Sequence, residues 1–168
     1  MVNLIPPSIK PNHHSHAEEE ILKIIRHQGR ITFADFMKIA LYHPVDGYYN
    51  NDSPIGSRGD YFTSPTVHPG FGGLLAKQIK RMWALLDKPT PFYIIEIGAG
   101  NGRLAIDIIN HVFAIDQDLH TSIQYFAIDR TQHPTLNHDK IQQIVSNTLP
   151  FRDVVGCVLS NELVDAFP

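Results

Sequence analysis

The sequence predicts an open α/β fold with a helical N-terminal extension, and a few local patterns lead to that reading. Short apolar runs at 92–97, 123–128, 141–145 and 154–159 suit strands of a parallel sheet, whose two buried faces erase the alternation of polar and apolar residues. The first run meets a glycine-rich turn, after which Leu104, Ile108 and Val112 recur at helical spacing. Ahead of it lie amphipathic stripes of the same helical period.

Each element has its own signal. Residues 1–14, with Pro6, Pro7 and Pro11, read as a flexible, extended arm without periodicity. Ser15 stands ahead of Glu18 as a capping box, and Ile21, Leu22, Ile24 and Ile25 give the next helix its apolar stripe. Thr32 with Asp35 starts a second helix, which carries Phe33, Phe36, Met37, Ala40 and Leu41 on one face. From His43 to Gly70, four prolines and four glycines interrupt any period, and a loop of that length inside a compact domain is usually functional. Leu75, Ile79, Met82, Trp83 and Leu86 mark a third helix, which KPTP at 88–91 ends. The expected organisation is an arm over 1–14, a helical extension with a long loop over 15–91, and the first half of a nucleotide-binding sheet over 92–168.

Composition narrows the function. A chain of 168 residues that is 43% hydrophobic can bury one sizeable core. A net charge of -3 supplies no basic surface for a phosphate backbone, so nucleic acid is not the expected partner. Cys157 is the only cysteine, which rules out an internal disulfide and fits a reducing compartment. No apolar stretch is long enough to span a membrane, and the first residues lack the pattern of a signal or transit peptide. A cytoplasmic location is the expectation. The ten histidines form no metal-ligand spacing, and no metal is expected.

Chemistry concentrates at IIEIGAGNGRLAIDII, residues 94–109. Glycines between a strand and a helix place backbone N–H groups and a helix N-terminus against a ligand that a β-carbon would push away. A dinucleotide fingerprint would put its third glycine at 103, where Arg103 stands, and Glu96 would repel a pyrophosphate passing nearby. These features disfavour a nicotinamide oxidoreductase. The E-x-G-x-G-x-G pattern formed by Glu96, Gly98, Gly100 and Gly102 resembles motif I of class I S-adenosylmethionine-dependent methyltransferases. That resemblance implies that the glycine turn approaches the cofactor's amino-acid and ribose parts, and that Asp129, ending the second strand, binds the ribose hydroxyls. A carboxylate suits neighbouring hydroxyls because it can accept from both. It also implies that Asn147, after the third strand, meets the adenine edge.

A narrower resemblance covers most of the chain after residue 30. ITFADFMKIALYHPVDGYY (31–49), IGSRGDYFTSPTVHPGFGGLLAKQI (55–79) and SNELVDAFP (160–168) are similar to the MidA family of methyltransferases, from which Thr66 and the stretch Arg130 to Gln132 depart. The resemblance implies a Rossmann-like class I methyltransferase sheet with a helical N-terminal extension, and S-adenosyl-L-methionine as cofactor. From the family's mitochondrial complex I assembly factor it implies a protein substrate methylated on arginine. Asp60 and Ser64, in the long loop, are expected either to close over the cofactor or to satisfy the backbone of a turn.

Methyl transfer is an in-line displacement, so the enzyme holds donor and acceptor in line and excludes water, without a covalent nucleophile. Asn161 and Glu162 follow the fourth run, where sheets of this kind present ligand contacts. With Asp165 they form the expected catalytic group, the carboxylates of Glu162 and Asp165 either orienting a guanidinium or capping a following helix. The sequence stops at Pro168, so the sheet is expected to be truncated after its fourth strand, with an exposed edge open to self-association. A non-catalytic cofactor-binding or assembly module is the alternative.

Overall fold

The computed structural model describes residues 15–50, 68–134 and 136–168. Asp60, Ser64 and Thr66, like the arm over 1–14, lie outside the described residues. The chain divides into two compact units, one from the described residues of Met1–Ser53 with Ala166–Pro168 and one from those of Pro54–Asp165.

In the first unit, α1 (His16–Gln28) and α2 (Phe33–Tyr42) start at the expected caps. Ser15 Oγ accepts from the Glu18 N–H at 3.1 Å, and Thr32 Oγ1 accepts from Asp35 at 3.0 Å. A further cap on α1 comes from a distance: the Asp46 carboxylate accepts from the N–H groups of His16 and Ala17. Burial pushes the Asp46 carboxyl up, but those donors and His43 outweigh it and hold it below the usual carboxylate value. The Tyr42 hydroxyl donates to the Ala166 carbonyl at 2.7 Å and ties the end of the chain to α2.

The second unit comprises α3 (Gly70–Leu85), β1 (Phe92–Ile97), α4 (Arg103–Ile115), α5 (Gln117–Ser122), β2 (Ile123–Asp129), β3 (Ile141–Val145) and β4 (Gly156–Ser160). All strand pairs are parallel, in the order β3-β2-β1-β4. One face of the sheet buries Phe92, Ile94 and Tyr125 against Ile79 and Trp83 of α3 and Ile108 of α4. The other buries Ile95, Phe126 and Ile128 under Phe151 and Val154. Apolar burial on both faces explains why the runs read as continuous rather than alternating.

Sequence reading groups α3 with the extension, whereas the structure packs it on α4. Glycine makes the close approach possible: a β-carbon at Gly72 would lie 2.6 Å from Asp107 Cβ, and one at Gly73 would lie 2.6 Å from His111 Nε2. The β1 to β2 crossover also holds a helix that has no apolar stripe of its own. Asp116 starts α5 by accepting from Leu119 N–H at 3.0 Å, while Lys80 of α3 pairs with the same carboxylate at 2.9 Å. Between β2 and β3 the described residues form turns rather than a helix. There the Gln143 amide donates to Leu136 O at 2.6 Å and accepts from His133 N–H at 3.0 Å, so one β3 side chain fastens the connection.

Candidate cofactor site at the glycine turn

Because the strands are parallel, their carboxyl ends line one edge of the sheet, with Ile97 level with Ile128 and Ser160, and Asp129 level with Val145. From β1 the chain runs outward through β2 and β3, then returns to place β4 on the other side of β1. Such a reversal opens a crevice beyond the strand ends, where ligands of α/β sheets bind.

The turn from β1 to α4 occupies that position. Gly98, Gly100 and Gly102 take φ of 73°, 53° and 74°, the left-handed region that disfavours a β-carbon. Backbone hydrogen bonds fix the turn: Gly98 and Ala99 both donate to Ile128 O, at 2.8 and 3.1 Å, and Gly102 donates to Ala99 O at 2.9 Å. The surroundings of these glycines differ. A β-carbon at Gly98 would lie 2.9 Å from Leu163 Cδ1, and one at Gly102 would run into the Leu136 side chain. At Gly100 it would meet none of the described residues within 4 Å. Among the described residues, Gly100 is thus the glycine of the turn that nothing covers.

Asp129 sits beneath it. Its Oδ2 accepts from the Gly100 N–H at 2.8 Å and its Oδ1 from the Arg130 N–H at 2.7 Å. Each oxygen keeps lone-pair capacity for a further donor. At the start of α4, Asn101 Oδ1 accepts from the Arg103 N–H at 3.1 Å, while Gly102 itself offers no capping side chain. An open glycine, a carboxylate with spare acceptors and a helix start make a cradle that fits a nucleoside carrying a hydroxyl pair.

Glu96 contributes differently. It is 2% exposed, and Tyr125 Oη donates to its Oε2 at 2.8 Å on the helix-covered face of the sheet. Burial pushes its carboxyl up to about 7; the Tyr125 hydrogen bond works against this, and the Asp129 charge adds to it. Near neutral pH, Glu96 is therefore only part of an anion. The shift carries a pH signature: the folded chain binds more protons than the unfolded one between the ordinary value of 4.5 and about 7, so stability falls as pH rises through that window. Replacing Glu96 with Gln keeps an acceptor for Tyr125 and removes the titration. Urea unfolding is expected to show the variant gaining on the parent by up to about 3 kcal/mol between pH 4.5 and 7.5. A constant difference across pH would refute the shift.

Among the remaining expected residues, Asn161 is half-buried beyond β4, while Asn147, Glu162 and Asp165 are exposed. Glu162 holds φ of 50°, an uncommon conformation for a residue with a β-carbon. The structure thus brings Gly98, Gly100, Gly102, Asp129 and Asn161 to the strand ends of one sheet, with Glu96 buried in β1.

Known proteins resemble this chain. A family model described as "Putative S-adenosyl-L-methionine-dependent methyltransferase" matches residues 74–168, more than half of the chain. The chain belongs to this methyltransferase family. A crystal structure of a COG1565 superfamily member from Burkholderia thailandensis, bound to S-adenosyl-homocysteine, is similar with a TM-score of 0.72 and 26% identity, over 90% of this chain and 41% of that one. Among curated relatives, the mitochondrial protein arginine methyltransferase NDUFAF7 homolog of Drosophila melanogaster is 32% identical over 130 residues, covering 73% of this chain and 30% of its own length. The mitochondrial protein arginine methyltransferase NDUFAF7 of Homo sapiens is 36% identical over 100 residues, 55% of this chain and 23% of its own. The chain therefore spans less than a third of these two relatives.

The family supports the MidA reading and the cofactor expected from the glycine pattern. The expected cytoplasmic location is overturned: these relatives are mitochondrial by name, and charge and composition carry no reliable address. No described helix is long and apolar enough to cross a membrane. Sequence reasoning missed Tyr125, Leu136 and Leu163. Leu136 did leave a signal, as a lone apolar residue in the polar stretch HPTLNHD that is nonetheless only 5% exposed.

Proposed function

We propose that this chain serves as an S-adenosylmethionine-dependent methyltransferase acting on a protein arginine. The observation that carries the reading is Gly100, open to space at its α-carbon while its N–H is held by Asp129 at 2.8 Å. When bound, the cofactor supplies an electrophilic methyl group. Asp129 accepts from the ribose hydroxyls, Gly100 lets the nucleoside approach the backbone, and Asn147 meets the adenine edge. Glu96 lends partial negative charge from within the sheet.

On the acceptor side, Asn161, Glu162 and Asp165 follow β4, the strand beside β1. Glu162 and Asp165 accept from a guanidinium and aim one nitrogen at the methyl group, a geometry suited to a planar fork of donors. The relatives' names support arginine as the acceptor, and they support a mitochondrial setting. A part in respiratory complex I assembly follows from the MidA resemblance alone. Self-association is a separate reading, favoured by β4 having only β1 as its partner among the described residues; a lone monomer in sedimentation would exclude it.

The test is transfer of a labelled methyl group from S-adenosylmethionine to mitochondrial proteins, read by mass spectrometry as methylarginine. Label on arginine supports the reading, and binding of S-adenosylhomocysteine with no labelled protein would leave a cofactor-binding module instead. Glu162 gives a sharper check through its backbone. Glu162→Gly is expected to leave stability unchanged or raise it by about 1 kcal/mol, because glycine removes the left-handed strain. The same change is expected to lower transfer at least about tenfold, the loss of one charge-assisted hydrogen bond. Unchanged transfer would remove Glu162 from the acceptor site.

A further inference from the structure

The three glycines of the turn are not equivalent. Leu136 arrives from the β2 to β3 connection and seats on Gly102, while Leu163 arrives from beyond β4 and seats on Gly98. They approach from segments on opposite sides of β1 in the sheet order. Gly100, between them, is covered by none of the described residues. Each glycine lacks a β-carbon for its own reason: two admit a leucine of this chain, and one admits the ligand.

We infer that Leu136 and Leu163 are positioning residues that hold the glycine turn in its cofactor-binding shape, an inference that rests on the cofactor reading above. Leu136 is buried although its neighbours His133, Asn137 and Asp139 are partly or fully exposed. Its backbone is fixed twice, by its N–H donating to His133 O at 3.1 Å and by its carbonyl accepting from Gln143 at 2.6 Å. A leucine pinned in this way acts as a stop against Gly102. Leu163 places its Cβ and Cγ 3.6 Å from the position a Gly98 β-carbon would take, so it covers that glycine closely.

The contacts have an energetic purpose. A loop that must be ordered on binding loses affinity to the entropy of ordering, and one already held in shape does not. The amides of Gly98, Ala99, Gly100 and Gly102 are all hydrogen-bonded within the chain, so the turn has a fixed shape of its own. Truncating a clamp leaves those bonds possible but no longer enforced. The glycine sterics predict a specific reciprocity. Alanine at 102 collides with Leu136, so the same alanine costs less once Leu136 is itself alanine, even though the backbone strain at φ of 74° persists.

The test uses the whole chain with S-adenosylhomocysteine as probe. Binding is measured by calorimetry and, without ligand, amide hydrogen exchange is measured over residues 98–102. Leu136→Ala and Leu163→Ala are each expected to raise exchange in the turn at least about tenfold, leave β1 and β2 protected, and weaken binding about tenfold; Leu136→Met is expected to restore both. The pair Gly102→Ala with Leu136→Ala is expected to bind better than Gly102→Ala alone. Exchange unchanged in both alanine variants would overturn the clamp whether or not the probe binds. Faster exchange with undiminished binding would overturn its role in positioning. An unsubstituted chain that fails to bind the probe would overturn the cofactor reading, and the positioning role with it.

Discussion

Asparagine in place of Gly100 is expected to lower affinity for S-adenosylhomocysteine at least about a hundredfold, which corresponds to about 2.7 kcal/mol, while leaving the fold intact. The two halves of that expectation have separate causes. Gly100 has φ of 53°, and asparagine tolerates the left-handed region better than other residues with a β-carbon. No described residue lies within 4 Å of the new β-carbon, so the described part of the fold has no clash to relieve. What the side chain does occupy is the space offered to the cofactor. Calorimetric titration together with a thermal melt checks both halves, and a variant that binds normally would move the ligand away from the turn.

The largest loss of stability is expected from Gly156→Ala. Gly156 opens β4 opposite Tyr93 of β1, and a β-carbon there would overlap the Tyr93 carbonyl oxygen. Backbone has nowhere to yield in a paired strand, so the ladder must open at its start. The neighbouring bond from Tyr93 N–H to Val155 O, 3.0 Å long, is strained with it. An effect of about 3 to 5 kcal/mol is expected, at the upper end for a single substitution. Chemical denaturation measures it, and a cost below about 1 kcal/mol would show that β4 can shift on β1. Because Asn161 and Glu162 follow this strand directly, a shifted β4 would also weaken methyl transfer.

How much of this was legible in the sequence depends on range. Caps and strands are local, so Ser15, Thr32 and the four apolar runs announced themselves, and β1 and β3 fall where their runs lie. The glycine turn was legible as a ligand site because strand, turn and helix are contiguous. Its internal division of labour was not. That Gly98 and Gly102 face leucines while Gly100 faces open space depends on chain that arrives more than thirty residues later at Leu136 and Leu163. Glu96 is similar. Its place before the glycines suggested an anion at the site, whereas its partner Tyr125 and its burial emerge only when β2 pairs with β1. Gly72 and Gly73 look like breakers at the head of a helix, yet they are what lets α3 press against α4. The proposed acceptor residues are the least legible, since an exposed carboxylate after a strand has the same appearance whether it binds substrate or only water.

The proposed cofactor position is over Gly100, with the ribose on Asp129. It is tested most directly by titrating S-adenosylhomocysteine into the isotope-labelled chain and following backbone amides by nuclear magnetic resonance, beside an Asp129→Ala variant. Saturable one-to-one binding is predicted, with the largest shifts at Gly100, Arg130 and the first turn of α4, and with affinity at least about tenfold lower in the variant. Shifts confined to other parts of the chain, or equal affinity without the Asp129 carboxylate, would contradict it.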